Sequence, residues 1–180
     1  MASSESRIVV YYDERCVAHD TGSGMMEGPP SPLLEVQERH PENGDRVRNS
    51  ALPERSRLAA RSQRATVRSV LLRGPLASSL EWRTPSRASV EELCCVHDRA
   101  YLESIVSDSE AGGRRYGAST VLPPGGWLGV SLAAGAALAA AELVLSGGAQ
   151  RAFCLVRPPG HHASRAACDG FCFVNNAAGE

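Results

Sequence analysis

Two adjacent histidines, His161 and His162, follow Arg157-Pro158-Pro159-Gly160 and precede Gly170-Phe171-Cys172-Phe173. Imidazole changes charge near neutral pH, so two rings presented from one turn can supply a general base and a second group that donates a proton or steadies developing charge. The prolines restrict the backbone and Gly160 permits a bend, which stiffens the turn carrying both rings. A metal reading competes. His161, His162, Cys168 and Cys172 lie within twelve residues, and all four are zinc-competent types. The one Cys-x3-Cys interval has no second cysteine pair, and Cys172 sits between two phenylalanines, so the spacing does not match a self-contained zinc knuckle. On spacing alone, a surface loop with two polar rings accounts for the dipeptide equally well.

The elements that must position these residues can be read backwards from them. Arg151 to Val156 (RAFCLV) reads as a buried strand running straight into the histidine loop. Before it, Trp127 to Gly147 is an alanine-rich helix introduced by Pro123-Pro124-Gly125-Gly126 and closed by Gly147-Gly148. Its length approaches that of a membrane span, but its bulk is alanine and glycine, it carries Glu142, and it lacks anchors at its far end, so a buried core helix is expected and no membrane contact. Arg7 to Tyr12 (RIVVYY) reads as a first buried strand, followed by a Gly/Pro/Ser-rich loop from Thr21 to Pro32 and a polar helical region from His40. Ser89, with Glu92 three residues on, has capping-box spacing, and a second short helix should follow within His97 to Ser109, ended by Gly112-Gly113. Helix, short turn, strand predicts an α/β fold with a parallel sheet, whose sites lie beyond the carboxyl ends of the strands. The histidine pair occupies such a place.

The chain has 180 residues, 43% of them hydrophobic, and a formal net charge of −1, which suits one globular domain with a sizeable core. All 19 basic residues are arginine. Eight lie between Arg46 and Arg73 against the single acid Glu54, a basic, partly amphipathic helix best read as a solvated face. No nucleic-acid motif accompanies it, so direct nucleic-acid binding is not expected. The N-terminal apolar run is too short for a signal peptide, and six cysteines without regular spacing fit free thiols. An intracellular protein is expected, in nucleus or cytoplasm.

Arg157-Pro158-Pro159-Gly160-His161-His162-Ala163, then Gly170-Phe171-Cys172-Phe173 and Asn175, closely resemble the signature of the class II-like zinc-dependent histone deacetylases. Upstream, VVYYDE, His40-Pro41-Glu42 with Arg46, His97-Asp98-x-x-Tyr101-Leu102 and AAGAALAAAELVLSG occur in that family's order, so the likeness covers nearly the whole chain. It implies an arginase/deacetylase fold, a three-layer αβα arrangement around a parallel sheet. It further implies that His162 is the general base activating a zinc-bound water for attack on an acetyl-lysine amide, with His161 beside it tuning charge. Phe171 would wall the tunnel for the lysine stem and Gly170 would line it. Arg46 resembles an arginine beside the family's internal cavity, although a buried structural arginine explains it equally well. Class II relatives often carry a substrate-gripping serine where this chain has Gly125, which leaves peptide selectivity open.

The resemblance implies zinc as cofactor, yet the family's ligands, an Asp-x-His pair and a later Asp, belong downstream of the quoted motif, and none is present in this chain. The aspartates that orient the histidines and the tyrosine that polarises the acetyl carbonyl would follow too. Residues 1–180 are thus expected to be the N-terminal portion of one deacetylase domain, truncated before its zinc-ligand half. Its substrate would be an acetylated protein such as a histone tail, with oligomeric state open. Two other readings stand beside this: a non-catalytic acyl-lysine or protein-binding module, and a relative of the acetylpolyamine amidohydrolases. A parallel sheet cut after a few strands leaves an apolar edge, so marginal stability or aggregation is expected.

Overall fold

The computed structural model describes residues 7–18, 67–117 and 120–178. The strands are β1 (Ile8–Tyr11), β2 (Leu80–Arg83), β3 (Arg114–Arg115), β4 (Val121–Leu122) and β5 (Ala152–Cys154). The α-helices with defined ends are α1 (Val90–Leu93), α2 (Arg99–Glu110) and α3 (Trp127–Leu145), and residues 67–73 are also helical. Arg46 and the rest of the arginine-rich segment before residue 67 lie outside the described residues.

β2, β1 and β5 form a parallel sheet in that order, with Ile8 opposite Leu80 and Val9 opposite Ala152. This is the α/β architecture expected from the helix–turn–strand pattern. Val9, Val10 and Tyr11 are all buried, and because successive side chains leave a strand on opposite faces, both faces of β1 are covered. β1 and β5 lie inside the predicted runs but stop short of their ends. Leu155 still donates to the Tyr11 carbonyl at 2.9 Å, after which Pro158 and Pro159, lacking N–H groups, cannot extend the ladder.

α3 packs its alanine face on the sheet. Tyr11 donates its hydroxyl to the Ala139 carbonyl at 3.2 Å, and Val9, Tyr11, Ala136 and Ala140 form one buried cluster. The small residues let backbones come close: a β-carbon on Gly135 would lie 2.0 Å from the Ser86 carbonyl oxygen. By length and composition this helix could cross a membrane, but its N-terminal two-thirds is lined with buried residues. Its other side meets a second cluster, in which Trp127, Val130 and Ala134 join Leu102 and Ile105 of α2 with Phe173 and Val174 of the histidine loop. The loop is therefore rooted in the core. α1 carries the capping box as read: Glu92 N–H donates to Ser89 Oγ at 3.2 Å and Ser89 N–H to the Glu92 carboxylate at 2.7 Å.

Candidate functional site

The loop after β5 closes on itself. Gly160 has φ +107°, and a β-carbon there would lie 2.7 Å from the backbone nitrogen of Asn176, so the outgoing and returning limbs touch where only glycine fits. Asn176 donates its side-chain amide to the carbonyls of Pro158 (3.2 Å) and Pro159 (2.7 Å), and Gly160 N–H reaches the Cys172 sulfur at 3.1 Å. These contacts consume the backbone groups that two prolines leave unpaired.

His161 and His162 stand at the exposed turn, ring centroids 4.2 Å apart and tilted by 53°. Among the described residues neither ring has a hydrogen-bond partner, and both residues are exposed. Gly170 lies against His162: at φ +49°, a β-carbon would fall 2.6 Å from His162 Cδ2. Next to it, Phe171 is held at φ +70°, a left-handed conformation that bulky residues rarely adopt. Its N–H donates to Thr120 Oγ1 at 3.3 Å, and the residue is 39% exposed. Asp169 and Cys172 exchange backbone hydrogen bonds across this tight reversal, at 3.1 and 2.7 Å. Four residues singled out in the sequence, His161, His162, Gly170 and Phe171, thus form one surface at the end of β5. Arg46 is outside the described residues.

A metal would need three converging donors. Among the described residues no three His, Cys, Asp or Glu side chains come together. The two loop cysteines are otherwise engaged. Cys172 is fully buried and bonded to backbone at Gly160 and Gly170, while burial foremost pushes the Cys168 thiol up, away from the thiolate a metal takes. His161, His162, Cys168 and Cys172 do not assemble the zinc site weighed from spacing.

Several supporting residues had no role assigned from the sequence. Tyr101 donates to the Phe173 carbonyl at 2.7 Å, with burial pushing its phenol well above the usual range, so it remains a donor. Asp98 binds Arg165 at 2.7 Å on the exposed rim. Thr120 is 2% exposed and fixes Phe171, and nothing in its sequence context marks it. The pairing of Asn175 with Asn176 was a signal. Neighbouring amides beyond a Gly-rich turn are well suited to satisfying its carbonyls, as Asn176 does for Pro158 and Pro159 and Asn175 does for Ala163 at 3.1 Å.

Residues 54–178 match the model of the histone deacetylase domain. The chain is 38% identical over 175 residues to Histone deacetylase 8 of Arabidopsis thaliana, covering 96% of this chain and 42% of that protein. It is 42% identical over 103 residues to the histone deacetylase-like amidohydrolase of Pseudomonas aeruginosa, covering 57% and 27%. Over 98 residues it is 42% identical to Polyamine deacetylase HDAC10 of Mus musculus, covering 51% and 15%. The solved structure of the HDA15 HD domain superposes with a TM-score of 0.67 at 24% identity, over 98% of this chain and 42% of that one. The chain thus spans less than half the length of these relatives, and the structural likeness places its parallel sheet and helices in the αβα fold of deacetylase domains.

Proposed function

The chain belongs to the histone deacetylase family, and on that premise we propose that it serves hydrolysis of acetyl-lysine amides in proteins, supplying the histidine pair and one wall of the substrate tunnel. The observation that carries this reading is the packing of Gly170 on the His162 ring beside the exposed ring of Phe171. An extended aliphatic stem lies well along an aromatic face and a bare backbone, with the amide delivered to the imidazoles. His162 takes the proton from the attacking water as general base. His161, 4.2 Å away ring to ring, steadies the charge that develops and can hand a proton to the departing amine.

The family is generally zinc-dependent. The described residues do not assemble a donor set for zinc, so the metal-holding part of such a site is not among them. A second reading is a module that binds acyl-lysine without turning it over. The likeness to a polyamine deacetylase over 98 residues favours a third, hydrolysis of acetylated polyamines. We place the protein inside the cell, because its six cysteines form no disulfide with one another.

The test joins this chain to the part of the Arabidopsis relative that follows the matched stretch. The fusion is offered an acetyl-lysine peptide and an acetylated polyamine side by side. Faster turnover of the peptide, abolished by a chelator, is the expected result. Preference for the polyamine would move the substrate assignment. Peptide binding without turnover by the folded fusion would leave the binding-module reading in its place.

A further inference from the structure

Resting on the reading of the His161–His162 loop as the reacting end of the site, we propose that His97 is its positioning residue, a neutral imidazole protonated at Nδ1 that ties Arg165 to Asn175 and so sets the His162 ring against Gly170. His97 belongs to the turn between α1 and α2 and is 1% exposed. Its Nδ1 lies 3.2 Å from the Arg165 carbonyl oxygen, and its Nε2 lies 2.9 Å from the Asn175 backbone nitrogen. A carbonyl can only accept and a backbone amide can only donate, so the proton must sit on Nδ1 and the Nε2 lone pair must face Asn175. One ring thereby bridges Arg165 and Asn175, which flank the Asp169–Cys172 reversal.

The ring is held from behind. The backbone N–H of His97 donates to the Leu93 carbonyl at 2.9 Å, and the ring centroid lies 5.7 Å from that of Tyr101, which bonds Phe173 in the same limb as Asn175. Asp98, next in the chain, donates its N–H to the same Arg165 carbonyl at 3.0 Å and accepts from Arg165 Nε at 2.7 Å. On the far side Asn175 reaches back to the Ala163 carbonyl at 3.1 Å, one residue beyond His162. A histidine serving only as core filler would be served as well by any ring of similar size. Here both nitrogens bond backbone atoms, 68 and 78 residues away in sequence. Without the ring, Arg165 keeps Asp98 as a donor, but the Asn175 N–H loses its acceptor.

The test uses the full 180-residue chain with 15N-labelled histidine, plus His97→Gln, which offers one donor and one acceptor at similar spacing, and His97→Phe, which keeps volume without polar atoms. The wild-type chain is expected to show one ring protonated at Nδ1 and bare at Nε2, absent from both variants. In His97→Phe the Asn175 amide should exchange roughly tenfold faster and the ring signals of His161 and His162 should move, while the Val9 amide in the sheet keeps its rate. His97→Gln should restore part of both. A His97 ring protonated at Nε2, or at both nitrogens, overturns the proposal, as does a folded His97→Phe that leaves Asn175 and the two rings undisturbed. Should the variants fail to fold, the wild-type tautomer decides alone. Adding an acetyl-lysine peptide to the wild type separates the two readings: rings of His161 and His162 that ignore it count against the deacetylase assignment and leave the tautomer result standing.

Discussion

Gly170 has no side chain because His162 occupies the space that one would need. Gly170→Ala asks an L-residue to adopt φ +49° and pushes a methyl to 2.6 Å from the His162 ring. The backbone term alone is about 1 kcal/mol. Denaturant unfolding of this chain should show a loss of that order, and turnover by the fusion should fall further than stability explains, because the ring that moves is the proposed base. Phe171 presents the opposite balance. At φ +70° it already carries left-handed strain, and Phe171→Gly relieves about 1 kcal/mol of it while adding a similar amount of chain entropy to the unfolded state. Stability should stay nearly unchanged. Acetyl-lysine peptide should bind more weakly, seen as a raised KM with the fold intact. A Phe171→Gly chain that binds peptide as tightly as wild type would remove the ring from the tunnel wall. These two positions were legible in the sequence because glycine before an aromatic residue, next to paired histidines, is a chemical pattern. Thr120 was not, and His97, though part of the quoted His97-Asp98-x-x-Tyr101-Leu102 match, had no role assigned, since the importance of both lies in partners brought near by folding.

At the scale of elements, legibility followed local signal. β1, α3 and β5 are uniform apolar runs bounded by turn residues, and α1 announces itself through Ser89 and Glu92. β2 escaped notice because it carries Glu81 and Arg83, paired with each other at 2.7 Å, where a parallel strand is expected to be apolar on both faces. It tolerates them as an outer strand of the sheet among the described residues. The β3–β4 ribbon is two residues per strand and has no periodicity to read. Leu122 roots it in the core with Leu102 and Ile105 of α2, and polar contacts add to this: Asp108 accepts from the Tyr116 hydroxyl and from Arg114 at 3.2 Å. The Tyr116 hydrogen bond foremost, then Arg114, lowers the Asp108 carboxyl below its ordinary range. A carboxyl lowered on folding contributes stability that is present above its unfolded value, about 3.9, and is lost as pH falls through the folded value. Melting temperature should therefore drop on acidification below about pH 4, and Tyr116→Phe should flatten that part of the profile. Equal acid sensitivity in the variant would assign the effect elsewhere.

At the scale of the whole molecule, the sheet ends at β5, whose outer edge has no partner strand among the described residues, and Phe153 on it is 48% exposed. An apolar parallel edge of this kind templates association. Sedimentation velocity should show the chain associating as concentration rises, and Phe153→Lys should suppress it; a wild-type monomer with a sharp melt would contradict this. The described residues hold the imidazoles, the proposed tunnel wall and their supports. The measurement that bears most directly on this account is acetyl-lysine peptide turnover by the fusion with and without His162→Ala. The expected loss is roughly 10²-fold or more, the usual worth of a positioned general base, with the variant melting like its parent. A folded His162→Ala fusion that turns over peptide at the parent rate would contradict it.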